Sequence, residues 1–331
     1  MKNNIQKSRS KKYCFIGHGS IAKKHINILS KLNKNNQIII LENLNIKKKN
    51  NFKNIIYLSF KELQNVILDA IFITNPASMH YSWLKKVYKL NTNIFIEKPI
   101  FDKNYNINKI ISHQKKIKKK IKVGYMFRYD PLFIYLKKLI DNFSIGELKI
   151  INIYCGSDLN KWRINQNLNN SISLKKDLGG GVLRELSHEI DYLLWIFGDF
   201  EVSISKLINS GRFKNSDVFD KADILFKKKS SDLLSLMHLN FNQKKTERYC
   251  IVIGNNGTIK ANILKREIIL EKKGKKIKKR FCNINEVYKK QMISFIKPSI
   301  NKNEYEELSS SVDVIKYINK IEKKNNLSTN F

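Results

Sequence analysis

The chain has 331 residues, a formal net charge of +35 and a 42% share of hydrophobic residues. That length allows two ordinary domains with a substantial core, and that apolar share excludes a largely disordered chain. No apolar run approaches the length of a bilayer span, so no membrane insertion is expected.

The charge comes overwhelmingly from lysine, in runs such as KKKN, KKIKKK and KKGKKIKKR spread along the chain. Base readout favours arginine, and single-strand binding interleaves aromatic with basic residues. The runs show neither pattern, so they are read as a solvated coat with no specific nucleic-acid partner. Cys14, Cys155, Cys250 and Cys282 are far apart and form no C-x-x-C pair. Such spacing predicts buried free thiols in a cytoplasmic setting and no metal site.

Residues 1–11 are basic, but the apolar YCFIG that follows is too short for a signal-peptide core, so they are read as a flexible leader. From 12 to 125, short apolar runs alternate with helix-length segments: YCFIG, IIIL, NIIYL, AIFIT, NIFIE and KVGYM. That alternation predicts an α/β domain, a Rossmann doubly wound parallel sheet. From 126 to 331 the texture changes. A long strand, ELKIINIYCGSD, is followed by a helical stretch and then by β-rich pieces linked through turns such as GNNG. Close spacing of this kind predicts an α+β domain with a mostly antiparallel sheet. Two helices, near 284–298 and 306–324, are expected to close the chain.

The first strand runs into IGHGSIAKKH. Gly17 permits a tight turn, Gly19 lets a pyrophosphate approach the backbone, and the small Ala22 lets helix and strand pack closely. The free N–H groups of the first helical turn then favour an anion, so Gly17, His18, Gly19, Ser20, Ile21 and Ala22 are candidate cofactor contacts. Glu42 ends the second strand, where a carboxylate accepts hydrogen bonds from the adenosine ribose and repels a 2′-phosphate. NAD is therefore expected, with Lys47 to Lys49 leaving NADP as the alternative.

Only four prolines occur, and two follow predicted parallel strands, in ITNPASMH and IEKPI. Strand carboxyl ends face the ligand crevice in such sheets, so Thr74, Asn75, Pro76, His80, Glu97 and Lys98 are candidate cofactor residues. In the second domain, GGGVLRELSHEIDYLLWIFG (179–198) predicts a helix with Glu185, His188 and Asp191 on one face. A histidine on an apolar helix is by itself more often a core residue than a catalyst. Arg128, Trp162 and Arg163 are candidate substrate contacts, because arginine is rare in this chain and KWR precedes the glycine-rich helix, where an indole can stack and a guanidinium fork can hold an anionic group.

These motifs, in this order, resemble the Gfo/Idh/MocA oxidoreductases. GHGSIAKKH matches that family's opening fingerprint with Ala22 and His25 in place, EKP is its most characteristic tripeptide, and NQKKTERYCIVIGNNGTIKANI is similar to its G-x-x-G-T-I strand pair. The likeness covers nearly the whole chain. It implies an NAD(P)-dependent oxidoreductase acting on a hydroxyl or keto carbon of a sugar, sugar derivative or nucleotide sugar. It also implies that Lys98 lies beside the nicotinamide and faces His188, with His188 as proton acceptor and Glu185 assisting. One departure is that only two residues separate Glu185 from His188, where many members have Asp-x-x-x-His. The KWR and SHEIDY segments resemble a branch linked to surface-polysaccharide sugars. The alternative is a catalytically silent nicotinamide-binding regulator of the same fold. A homodimer or homotetramer is expected.

Overall fold

The computed structural model describes residues 9–41, 54–162, 171–214, 216–297 and 304–328. The predicted leader (residues 1–8 of it), Glu42 and Arg163 lie outside the described residues. The chain divides into two units: Met1–Ile100, Tyr105–Gly124 and Gln291–Leu308 form one, and Phe101–Asn104, Tyr125–Lys290 and Ser309–Phe331 the other.

In the first unit the predicted alternation is realised as β1 (Lys12–Ile16), α1 (Ser20–Leu32), β2 (Gln37–Leu41), β3 (Ile55–Leu58), α2 (Phe60–Leu63), β4 (Ala70–Ile73), α3 (Ala77–Val87), β5 (Asn93–Ile96), α4 (Asn108–Ile117) and β6 (Ile121–Val123). The strands pair in the order β3-β2-β1-β4-β5-β6, every pair parallel. Continuous apolar runs suit such a sheet because both faces are covered; AIFI of β4 is buried at every position. Strand order reverses between β1 and β4. At that switch point the carboxyl ends of the strands open a ligand crevice.

The second unit begins with a short 3₁₀ turn, Met126–Tyr129, and α5 (Pro131–Asp141). Asp130 caps α5 by accepting from the Leu132 N–H, with Pro131 at the first helical position. β7 (Leu148–Asp158), α6 (Val182–Glu185), α7 (Ser187–Phe197), β8 (Phe200–Ile208), β9 (Lys221–Lys228), β10 (Leu234–Asn240), β11 (Asn242–Gly254), β12 (Gly257–Asn262), β13 (Glu267–Lys272) and β14 (Lys275–Arg280) follow. Their sheet order is β14-β13-β12-β11-β7-β10-β9-β8. All its pairs are antiparallel except β7 with β10. The sheet is thus mostly antiparallel as expected, but β7 inserts between two strands far along the chain.

β14 was hidden in the sequence by its lysines. All its residues are exposed, and Lys276 and Lys278 pair with Glu271 and Glu267 of β13. A lysine-rich edge strand discourages further strand addition, which accounts for one of the basic runs without a binding partner.

Two helices close the chain, α8 (Ile284–Ile296) and α9 (Glu304–Ser328). A single boundary at 125 would place all of α8 in the second unit. Instead its C-terminal half belongs to the first, because Met292 and Phe295 complete that unit's core. The Phe295 ring meets Phe72 and Phe95 edge-on, each at 5.4 Å. α9 covers β8: Ser205 Oγ donates to Ile321 O, and Asn325 Oδ1 accepts from the Leu207 N–H. The four cysteines are free thiols, and burial pushes Cys14, Cys155 and Cys250 up to about 12, which makes them unreactive.

Candidate active site

The glycine turn is built by the approach of two loops. Gly17 has φ 101°, and a Cβ there would lie 2.7 Å from the Asn75 nitrogen. Thr74 Oγ1 closes the contact by donating to Gly17 O at 2.9 Å. Gly19 behaves differently. It is the N-cap of α1, nothing lies within 4 Å of where its Cβ would be, and no side chain caps the helix. No acidic residue occupies the first turn of α1, so its N–H groups and partial positive charge face an open cradle. Two buried side-chain atoms beside it, His18 Nε2 and Asn75 Oδ1, have no hydrogen-bond partner among the described residues. The cradle and these orphaned groups fit a dinucleotide: Gly19, Ser20 and Ile21 would hold its phosphates, and His18 and Asn75 would offer it polar partners. Ala22 is fully buried beneath.

Three expected cofactor contacts have other tasks. His80 is buried, with Nε2 2.8 Å from Asn75 O and Nδ1 at 3.1 and 3.2 Å from Pro99 O and Ile100 O. Glu97 is also buried: Oε1 lies 2.6 Å from His25 Nε2, and Oε2 accepts from the Lys98 N–H at 3.1 Å. Pro76 is the N-cap of α3 and fixes its entry. His80 and Glu97 therefore hold protein loops, since buried polar groups take the partners that loop closure provides. Lys98 itself is half-buried at the carboxyl end of β5.

Burial holds the His80 pKa below the ordinary value, outweighing the opposing pull of the carbonyls. His18 is lowered too, first by burial and then by Lys23. Folded-state values below the unfolded one mean that the unfolded chain binds more protons as pH falls under about 6.5. Stability should therefore be full above that value and decline on acidification, before the carboxylates titrate. Calorimetric melting between pH 7 and 5 checks this, with His80→Gln expected to flatten the decline.

In the second unit the predicted single helix is broken. Leu186, at φ −98° and ψ 27°, separates α6 from α7, so the three-residue spacing does not align Glu185 with His188 on one continuous helix. Glu185 accepts from Ser173 Oγ at 2.6 Å. The three glycines serve this corner. Gly181 has φ 101°, and a Cβ on Gly180 would lie 2.4 Å from Ile172 O, so the close approach here is to protein backbone.

His188 lies in the first turn of α7 and is half-buried. Its ring is 4.8 Å from that of Phe127, and Tyr125 meets it edge-on at 5.7 Å. Asp191, fully buried, accepts from Arg128 Nε at 3.1 and 3.2 Å and more closely from Nη2. Arg128 Nη1 donates to Ser310 Oγ at 2.8 Å. With its side chain only 7% exposed, Arg128 is committed to Asp191, which corrects its reading as a substrate contact. A carboxylate without solvent requires a cation, and Arg128 supplies it.

Two more such pairs were missed. Glu189 holds Arg248, whose guanidinium also lies 4.6 Å from the Phe127 ring centre, and Asp130 holds Arg266. A signal was available: the chain has only eight arginines, and among the described residues six of them pair with carboxylates. Arginine's rigid fork suits bidentate buried pairs where lysine does not. Trp162 remains 39% exposed, its Nε1 donating to Ser157 Oγ at 2.7 Å.

A parallel sheet in this strand order, with an open glycine cradle at its switch point, defines an NAD-binding Rossmann domain. Comparison with known proteins agrees. Residues 11–125 match the model described as "Oxidoreductase family, NAD-binding Rossmann fold", and residues 133–260 match the GFO/IDH/MocA C-terminal domain. The chain belongs to the Gfo/Idh/MocA oxidoreductase family. It is 24% identical over 213 residues to Oxidoreductase P35 of Formosa agariphila, covering 64% of this chain and 65% of that protein. It is 27% identical over 201 residues to the inositol 2-dehydrogenase/D-chiro-inositol 3-dehydrogenase of Lacticaseibacillus casei, covering 60% and 54%. The matched segments thus span less than two thirds of these relatives. Levoglucosan dehydrogenase, solved with NADH and levoglucosan, aligns over 96% of this chain and 98% of its own at a TM-score of 0.78 and 14% identity, a likeness of fold.

Proposed function

We propose that the protein is an NAD-dependent dehydrogenase or reductase that transfers a hydride between nicotinamide and a hydroxyl or keto carbon of a sugar or sugar derivative. The observation that carries this is a contrast in exposure. Lys98 and His188 stay partly accessible, while His80, Glu97 and Asp191 are buried in fixed roles and the Arg128 side chain is turned onto Asp191. The names of the relatives, which act on inositols or bind an anhydrosugar, support a polyhydroxylated substrate. The KWR and SHEIDY segments are our grounds for including nucleotide sugars of surface-polysaccharide metabolism.

Bound NAD would supply the hydride acceptor for the carbinol carbon. The remaining task is the hydroxyl proton. His188 takes it as general base, a role for which an imidazole side chain is suited. The Lys98 ammonium stabilises the developing alkoxide. Glu185 and Trp162 are proposed substrate contacts, Trp162 through its exposed ring. Isothermal titration with NAD, followed by NADH absorbance across inositols, anhydrosugars and nucleotide sugars, tests the reading. Turnover on one class supports it. NAD binding without turnover on any, and unaltered by Lys98→Ala, would favour the silent regulator.

The open face of the second sheet supports the expected homo-oligomer. Ile204, Leu225, Leu236, Asn152 and Ile251 form one row across five strands, with Ile204 58% and Leu236 50% exposed. An exposed row that is apolar at four of its five positions marks an interaction surface, and we assign it to a second copy. Leu236→Asp should lower the mass measured by light scattering to that of a smaller assembly; an unchanged mass would move the interface elsewhere.

A further inference from the structure

We propose that His25 and His80 are positioning residues that clamp the loop carrying Lys98 and so set where its ammonium meets the nicotinamide end of NAD. This rests on the reading of Lys98 given above. The loop Glu97–Ile100 is gripped on both sides of the lysine. On one side the Glu97 carboxylate lies 2.6 Å from His25 and accepts from the Lys98 N–H at 3.1 Å. Gly124 makes room for that carboxylate, since a Cβ there would lie 2.8 Å from Glu97 Oε2. On the other side His80 reaches Pro99 O and Ile100 O through one nitrogen and Asn75 O through the other.

Each histidine also ties this loop to a different part of the cofactor cradle. His25 stands on α1, which begins at the open Gly19 turn. His80 stands on α3, which follows Asn75 and Pro76. The glycine turn, the Asn75 loop and the Lys98 loop are thereby held in one register, and the phosphate and nicotinamide ends of a bound dinucleotide inherit it. Neither histidine is exposed to a ligand. They act through Lys98.

The test compares two ligands on the full chain: NADH, and ADP-ribose, which lacks the nicotinamide. A histidine that only fills the core would weaken both together when removed. A clamp on the nicotinamide end would change their ratio. His25→Leu and His80→Leu should each weaken NADH by roughly tenfold, as expected for a lost buried hydrogen-bond partner, with ADP-ribose changed less than about twofold. His25→Gln keeps an N–H toward Glu97 and should recover most of the NADH affinity. If His25→Leu does not fold, Gly124→Ala crowds the same carboxylate from the other side and should give the same signature. Equal losses for both ligands, or an unchanged ratio while Lys98→Ala alters it, would overturn the clamp. An unchanged ratio in Lys98→Ala would instead remove the underlying reading of Lys98.

Discussion

His188→Ala is expected to lower turnover by roughly 10²–10⁴-fold, the range for a positioned acid–base group. NAD affinity should stay within about twofold, because the cradle for the dinucleotide is built by the other unit. The argument rests on how the imidazole is held. Phe127 lies against one side of the ring and Tyr125 meets it edge-on, so its orientation is fixed without a change of helix. The residue also remains half-buried, unlike Asp191 one turn later. Lys98→Ala should also reduce turnover and weaken NADH. If Lys98 and His188 act on one proton transfer, the double variant should lose less than the product of the single losses. Single-turnover hydride transfer, with NAD titrated separately, gives both quantities. Near-normal turnover in His188→Ala would make His188 a core residue and send the search for the base to Glu185.

The parallel sheet was legible because its central strands are almost wholly buried, and burial on both faces leaves continuous apolar runs between helix-length segments. The antiparallel sheet was legible in kind but not in order. Nothing local in ELKIINIYCGSD says that β7 will lie beside β10 and β11, since that pairing is decided by packing across a long stretch of chain. Lysines masked β14 because edge strands need solubility more than alternation. The glycine turn was legible as a strand-to-helix turn, yet only the structure separates Gly17, where two loops approach closely, from Gly19, where space is left open. For charged residues sequence reasoning was weakest. Glu97, His80 and Arg128 have the chemistry of ligand contacts, but their partners are distant in sequence, and type alone does not tell a buried partner from a bound one.

Asp191→Ala is the sharper test of that distinction. Removing one member of a buried ion pair leaves the other charge uncompensated, at a cost of about 3–5 kcal/mol. Ser310 Oγ and the Tyr125 ring, whose centre is 5.7 Å away, would remain beside Arg128, but neither carries a compensating negative charge. A fall of roughly 10 °C in melting temperature is expected from a loss of that size in a chain of this length. Arg128→Met combined with Asp191→Leu should be milder, because both charges leave together and the apolar replacements fill the space. The ion-pair reading and the substrate-contact reading of Arg128 then diverge. If Arg128 were held for a substrate anion, Asp191→Ala would chiefly raise KM and leave the melting temperature nearly unchanged. The ion-pair reading requires the opposite: a large drop in stability for Asp191→Ala, and partial recovery in the paired variant measured by the same calorimetry.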